Sequence, residues 1–415
     1  MSKLDELIKK LCPDGVEYKR LGEIGTLIRG NGLQKKDFTK SGVGCIHYGQ
    51  IYTHYGVYAN QTISFVSEQT AKKLKKVDPG DLVITSTSEN VEDVCKCVAW
   101  LGTESIVTGG HAMIFKHHEN PKYLSYFFQS SQFFKQKVKM AIGVKVIDVS
   151  PQKLEKTLVP VPPLEVQREI VKILDNFTEL TAELTAKLTA ELTARKKQYE
   201  YYRNWLLTFE SKNISIFKLQ DVVEIQRGIR VTRNQLSNDG KYPVYQNSLV
   251  PMGYYNDKNR EANSTFLICA GAAGDIGYST QAFWAADDCY TFNCSDKILN
   301  RYLFYLLKNK QALIYSKVRR ASVPRISKES IGTIKVPVPE ISVQERIVNV
   351  LDNFDKVCND LHIGLPAEIE ARKKQYEFYR DSLLTFLEKG ERILTDRQTD
   401  RQTDRQTDRT EVRPD

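Results

Sequence analysis

One segment of this chain occurs twice. Residues 159–209 align without a gap with residues 336–386, at an offset of 177, and 29 of the 51 aligned positions are identical. VPVP at Val159 recurs at Val336, ILDNF at Ile173 recurs as VLDNF at Val350, and RKKQYEYYR at Arg195 recurs as RKKQYEFYR at Arg372. Two copies separated by longer, unlike stretches impose the plan variable part, repeat, variable part, repeat. The 158 residues before the first copy and the 126 between the copies resemble each other only near their edges. Leu21, Ile24, Leu27, Arg29 and Gly30 echo Leu219, Val222, Ile225, Arg227 and Gly228. Tyr123, Leu124 and Tyr126 echo Tyr302, Leu303 and Tyr305, and Val149 and Ser150 echo Ile326 and Ser327. The variable parts are therefore expected to share one fold while presenting different surfaces.

Each repeat opens with prolines, Pro160, Pro162 and Pro163 in the first and Pro337 and Pro339 in the second, which hold the backbone extended until they end. A long helix is expected next. Phe177, Leu180, Leu184, Leu188 and Leu192 are spaced 3, 4, 4, 4, and Phe354, Val357, Leu361, Leu365 and Ile369 match them. A stripe with about 3.67 residues per turn runs nearly straight. Two matched stripes predict an intramolecular antiparallel pair, with these ten residues along the spacer. From Leu164 to Phe209 the helix would rise about 70 Å. Gly364 and Pro366 interrupt the second copy, which is expected to kink or restart with Pro366 in the first turn of the continuation. Thr181 to Leu192 reads TAEL, TAKL, TAEL, and adding or removing one tetrad changes the helix by about 6 Å.

The variable parts carry short alternating apolar runs, Gly, Asn and aromatic residues, with helical stretches near 123–138 and 300–315, a texture that fits mixed α/β domains. In the first, Lys35 and Lys36 precede HYGQIYTHYGVY, which supplies Tyr48, Gln50 and Tyr52. In the second, Arg227, Arg230 and Arg233 alternate with apolar residues, YQNS supplies Gln246 and Asn247, and Arg319, Arg320 and Arg325 cluster. Arginine can grip guanine with two hydrogen bonds, asparagine and glutamine can grip adenine, and lysine suits phosphates. Lys135, Lys137, Lys139 and Lys145 lie just before the first prolines, as Lys317 through Arg325 lie before the second. The net charge of +9 is compatible with a polyanionic partner.

Catalytic signatures are missing from the sequence. It holds no GxxxxGK[ST], no NPPY or DPPY and no HExxH, and GAAGDIG at Gly271 lacks dinucleotide spacing and reads as a tight turn. Asp14 and Glu17 stand too close together to bring two strands around a metal. The eight cysteines form no CxxC, so buried reduced thiols, no bound metal and a cytoplasmic location are expected. No apolar run approaches the roughly 18 to 20 residues that span a bilayer, and MSKLDELIKKL reads as a charged amphipathic helix rather than a secretion signal.

From about residue 16 to 388 the chain resembles the specificity subunits of type I restriction-modification systems. The resemblance is carried by Ser150 to Phe177, by Ser327 to Phe354 and by the duplicated RKKQYE(Y/F)YR, and the tandem TAEL resembles a subgroup with such units in its central helix. It implies two α/β (α+β) target recognition domains, 1–155 and 211–332. They would be joined by conserved helices, 156–210 and 333–390, in an antiparallel, coiled-coil-like spacer with a pseudo-twofold repeat. It implies a non-catalytic chain that reads a bipartite, asymmetric site in double-stranded DNA. Two modification subunits carrying S-adenosylmethionine would dock on the helical regions, with the ten stripe residues from Phe177 to Leu192 and from Phe354 to Ile369 as the docking surface, followed by restriction subunits that use ATP and Mg2+, with no cofactor bound by this chain directly. One tetrad would then correspond to one or two base-pair steps of about 3.4 Å, making the helix an adjustable ruler. Two other classes make different predictions. A self-contained DNA methyltransferase or nuclease with a divergent site would act without partners, and a helical scaffold that binds protein would fail to bind duplex at any salt.

The tail, 391–415, falls outside the resemblance. Residues 395–409 repeat TDRQ, a solvated segment expected to be disordered. The tetranucleotide ACAG in tandem encodes Thr, Asp, Arg and Gln in every frame, so slippage there would change the frame beyond it.

Overall fold

The computed structural model describes residues 2–141, 146–209, 214–237, 239–360 and 364–385. Lys145, Leu361 and the TDRQ tail lie outside them. The chain divides into two compact units, residues 1–185 with 371–415, and residues 186–370.

In the first unit a five-stranded sheet runs in the order Gly25–Arg29, Ala112–His117, Leu82–Thr85, Cys97–Trp100, Tyr58–Ala59. Its central strands are apolar at nearly every position because both faces are covered. Alternate residues point to opposite faces of a strand: Leu82, Ile84, Met113 and Phe115 pack against the helix Pro121–Phe127, while Val83, Val98 and Ile114 enter a second cluster with Ile46 and Ile106. A second five-stranded sheet contains Val43–Ile46 parallel to Ile106–Thr108. The helix Lys3–Leu11 starts from a Ser2 capping box and buries Leu4 against the first cluster, as its amphipathic pattern predicts.

The second unit repeats this plan with fewer strands. A four-stranded sheet runs Val223–Arg227, Cys289–Cys294, Ser264–Ile268, Ile276–Ser279, and a three-stranded sheet holds Tyr242–Tyr245 parallel to Trp284–Ala285. Each variable part enters and leaves beside its own prolines. Tyr18–Arg20 pairs antiparallel with Leu158–Pro160, and Ile216–Lys218 pairs antiparallel with Lys335–Pro337.

The helix Leu164–Leu207 is continuous over 44 residues. Val166, Ile170 and Leu174 lie in the first unit's core, whereas Leu207 lies in the second unit's core. The other copy mirrors this: Ile347 and Leu351 belong to the second core and Leu384 to the first. Pairing is antiparallel within each unit. Phe177 stacks on Tyr379 at 5.3 Å while Thr178 meets the Tyr376 hydroxyl at 3.0 Å. In the second unit the offset-related Phe354 stacks on Tyr202 at 5.5 Å and lies beside Tyr199 at 6.3 Å. The second copy ends one helix at Asn359 and begins another at Leu365, which puts Pro366 in the first turn, where a missing N–H costs nothing.

The leucine stripe departs from the expected seam. Leu180 is 60% exposed and its counterpart Val357 41%, whereas the neighbours Thr181 and Cys358 are turned inward. The aromatic pairs set the rotation of each helix, and the three-residue step from Phe177 to Leu180 and from Phe354 to Val357 falls about 60° short of a full turn, which carries those two side chains off the aromatic line. Leu184 is also exposed, and Leu188, Leu192, Leu365 and Ile369 are half-buried.

Duplicated polar junctions fix each variable part on its helix. Gln167 and Gln344 are fully buried. Gln344 accepts from Leu299 N at 2.9 Å and donates to Lys297 O and Pro339 O at 2.8 and 2.7 Å. Gln167 accepts from Asn120 N and donates to Pro162 O and Glu119. Asp175 receives Lys122 and the Tyr126 hydroxyl, and Asp352 receives Arg301 and the Tyr305 hydroxyl. The Tyr123 and Tyr302 hydroxyls donate to Pro160 O and Pro337 O. These contacts explain why the tyrosine echoes accompany the repeats.

Candidate nucleic-acid interface

Strand pairing makes the two variable parts superimposable residue by residue at one rim. Arg29 lies opposite Met113, as Arg227 lies opposite Tyr290. Each arginine is followed by a glycine in close backbone contact. A Cβ on Gly30 would fall 2.2 Å from Gly109 O, and one on Gly228 would fall 2.1 Å from Ala286 O. Only glycine lets the chain cross there.

In the first unit the rim gathers His47, Tyr48, Thr87 and His111. Tyr48 lies 4.4 Å from the His47 ring and 4.9 Å from the His111 ring, and Thr87 Oγ1 is 2.8 Å from His111 Nδ1. Burial, then the charges of Lys35 and His111, hold the His47 pKa below its usual value, so the neutral ring accepts from Gly49 N. His111 is exposed and Tyr48 half-exposed, leaving polar edges and ring faces open to a ligand. Tyr52 extends the cluster at 6.3 Å from Tyr48, and Lys35 and Lys36 project from the neighbouring turn Lys35–Asp37.

Gln50 is spent locally. Its Oε1 accepts from His47 N and its Nε2 donates to Ser64 Oγ at 2.6 Å, which caps the helix Tyr48–Thr53 rather than offering an amide outward. Lys137 also differs from its expected place in a surface cluster. It is 4% exposed, and its ammonium donates to Glu92 O and Val94 O, each at 3.0 Å, with burial lowering its pKa. Lys137→Met is expected to leave both carbonyls unpaired and to destabilise the first unit by about 2 kcal/mol, read as a lower urea midpoint. A shift equivalent to less than about 0.5 kcal/mol would show the ammonium to be dispensable. Lys139 is exposed on the same helix, Ser131–Met140, and is not brought to the His47 group.

In the second unit three separate segments converge. Gly271, at φ +85°, turns the GAAG run so that Ala272 N donates to Asn247 O at 2.9 Å and Gly271 N to Pro324 O at 3.2 Å. The glycine run is a tight turn, as its sequence suggests. Arg319 and Arg325 exchange backbone hydrogen bonds of 2.8 and 3.1 Å, closing a hairpin that carries Arg320, and all three arginines are exposed. Gln246 reaches Asp288 at 3.4 Å, and Arg227 Nε donates to Asp287 O at 2.7 Å. Arg230 and Arg233 are exposed on the following loop. Arg233 opens a short turn at the same place in the fold as Lys35.

No motif marks Thr87, His111 or Asp288, whose place at the rim follows only from strand pairing, and Asp148 is marked only by the echo that follows it at Val149 and Ser150. Two buried polar atoms there, Ser86 Oγ and Asp287 Oδ1, have no hydrogen-bond partner among the described residues.

The eight cysteines are unpaired and seven of them are buried. Among the described residues no cluster of histidine, cysteine and carboxylate could hold a metal, and no helix is long and apolar enough to cross a membrane.

The chain matches the family described as the type I restriction modification DNA specificity domain over residues 13–194 and 211–371. It is 34% identical over 241 residues to a putative type I specificity subunit of Mycoplasma pneumoniae, covering 55% of this chain and 95% of that one. It is 32% identical over 296 residues to a putative specificity subunit of Haemophilus influenzae, covering 66% and 75%, and 33% identical over 250 residues to the EcoR124I/EcoR124II specificity subunit of Escherichia coli, covering 55% and 61%. In fold it is similar to a chain from a study of assembly and conformational transition in the type I R-M system, at a TM-score of 0.67 with 15% identity, covering 90% of this chain and 98% of that one. It is also similar to the HsdS subunit of Thermoanaerobacter tengcongensis, at a TM-score of 0.56 with 16% identity, covering 90% and 97%.

Proposed function

The chain belongs to the type I restriction-modification DNA specificity family, and from that premise we propose that it reads a bipartite duplex site, one half with each unit, while other subunits perform the chemistry. A single observation carries this reading: one scaffold builds the same rim twice and furnishes it with different side chains. His47, Tyr48 and His111 occupy in the first unit the positions of Gln246, Asn247 and Asp288 in the second. Different hydrogen-bonding edges on equivalent backbones suit two unlike half-sites. The variable segments 1–155 and 211–332 are the readers, and 156–210 with 333–390 space them.

Tyr201 and its offset-related counterpart Phe378 stand 65% and 54% exposed on the conserved helices. Large aromatic side chains left outward on equivalent faces suit two copies of one protein partner. These are the docking points proposed for two modification subunits. S-adenosylmethionine, ATP and Mg2+ would be used by the modification and restriction subunits.

Single-molecule methylation mapping of host DNA, with the gene intact and deleted, tests the proposal. Loss of one bipartite, adenine-methylated motif on deletion is the expected result. An unchanged methylome, with the partner genes shown to be expressed, would overturn it.

A further inference from the structure

Equivalent positions on the two rims carry opposite charges. Asp148 pairs with Thr87 on a two-stranded ladder, and Val149 N donates to Ser86 O. Arg325 bridges Ala270, and Ile326 N donates to Cys269 O. Asp148 and Arg325 are therefore the same place in the fold, which in the first unit lies beside the arginine that ends the edge strand.

The consequence for that arginine differs. Both terminal nitrogens of Arg29 are engaged by Asp148, Nη2 to Oδ1 at 2.7 Å and Nη1 to Oδ2 at 3.4 Å. That is the fork with which an arginine would grip guanine or a phosphate. Arg227 donates only through Nε, to Asp287 O, and its terminal nitrogens make no hydrogen bond or ion pair among the described residues. The arginine is neutralised on one rim and left available on the other.

We propose that residues 148 and 325 are specificity-determining positions that set whether the strand-end arginine engages DNA: Asp148 withholds Arg29, and Arg325 leaves Arg227 free and adds its own charge. The inference rests on the reading of both rims as DNA-facing. It makes the halves unequal, the second unit supplying more of the salt-dependent grip and the first reading with Tyr48, Thr87 and His111. The Arg29 and Asp148 side chains are 43% and 42% exposed. Such a pair is held weakly, so the switch is graded.

The test uses the full chain assembled with its modification subunits and fluorescent duplex, titrated at several salt concentrations. Asp148→Ala and Asp148→Asn are each expected to tighten binding to unrelated duplex by about threefold to tenfold, and to steepen the slope of log K against log salt by about one phosphate contact. Arg29→Ala alone should change little, and Arg29→Ala combined with Asp148→Ala should return to the wild-type slope. Arg325→Asp should weaken binding and flatten the slope. Unchanged binding by both Asp148 variants overturns the proposal, as does a double variant that keeps the gain or a tenfold loss from Arg29→Ala alone. If Arg319→Ala with Arg320→Ala still weakens binding, the DNA-reading function survives that failure; if no rim substitution has any effect, the rims are not the reading surface.

Discussion

Replacing Gln344 with leucine is expected to destabilise the second unit by about 3 to 5 kcal/mol, lowering its melting temperature by roughly 10 °C. One fully buried amide satisfies three backbone groups from two different loops, Leu299 N, Lys297 O and Pro339 O. Leucine fills the volume but satisfies none of them, and each buried group left unmade costs about 1 to 3 kcal/mol. Gln167→Leu should do the same to the first unit, exposing Asn120 N, Pro162 O and Glu119. Calorimetry should show the substituted unit melting earlier. A loss below about 1 kcal/mol would mean that the apolar contacts of Ile347 and Leu351 alone hold the helix in place.

The second large effect is one of geometry. Duplicating one tetrad within 181–192 adds about 6 Å to the helix and turns everything beyond it by about 40°. The helix is anchored by Val166, Ile170 and Leu174 near its start and by Leu207 at its end. The tetrads lie between those anchors and expose most of their residues, so the insertion should not unfold the chain. Methylation of the original site should then fall below detection, and a site with the same two half-sequences and a spacer longer by one or two base pairs should take its place. Persistent methylation at the original spacing, in a folded variant, would show that this helix does not set the distance.

Much of this architecture was written in the repeat. Duplicated prolines and Pro366 two residues past Gly364 each have a local physical meaning and appear in the structure where that meaning puts them, and the echoed tyrosines prove to tie each variable part to its prolines. Arg29 and Arg227 were matched by the LxxIxxLxRG-like spacing because a strand end followed by a crossing glycine constrains residue type. Side chains whose role depends on distant partners were not legible. Lys137 looks like a surface lysine until the carbonyls of Glu92 and Val94 are placed beside it, and Gln50 looks like a base reader until Ser64 is brought to its amide and a helix start at Tyr48 turns its oxygen to His47 N. Leu180 looks like a seam residue because periodicity gives a stripe but not its rotation, which the Phe177–Tyr379 stack fixes. The opposed charges at 148 and 325 stand directly before the Val149–Ser150 and Ile326–Ser327 echo, but only strand register and the Arg29–Asp148 contact show what they act on.

The small ladders that close each variable part, Tyr18–Arg20 with Leu158–Pro160 and Ile216–Lys218 with Lys335–Pro337, have a consequence for inheritance. A module whose entry and exit are zipped together at one point behaves like an interchangeable cassette. A related sequence follows each exit, 29 of 51 positions being identical, so the segments after the two exits are the natural places for two such genes to cross over. A chain reassembled in this way would keep its helices and its polar junctions while acquiring a foreign half-site, so new specificities can arise by shuffling whole modules, without passing through misfolded intermediates.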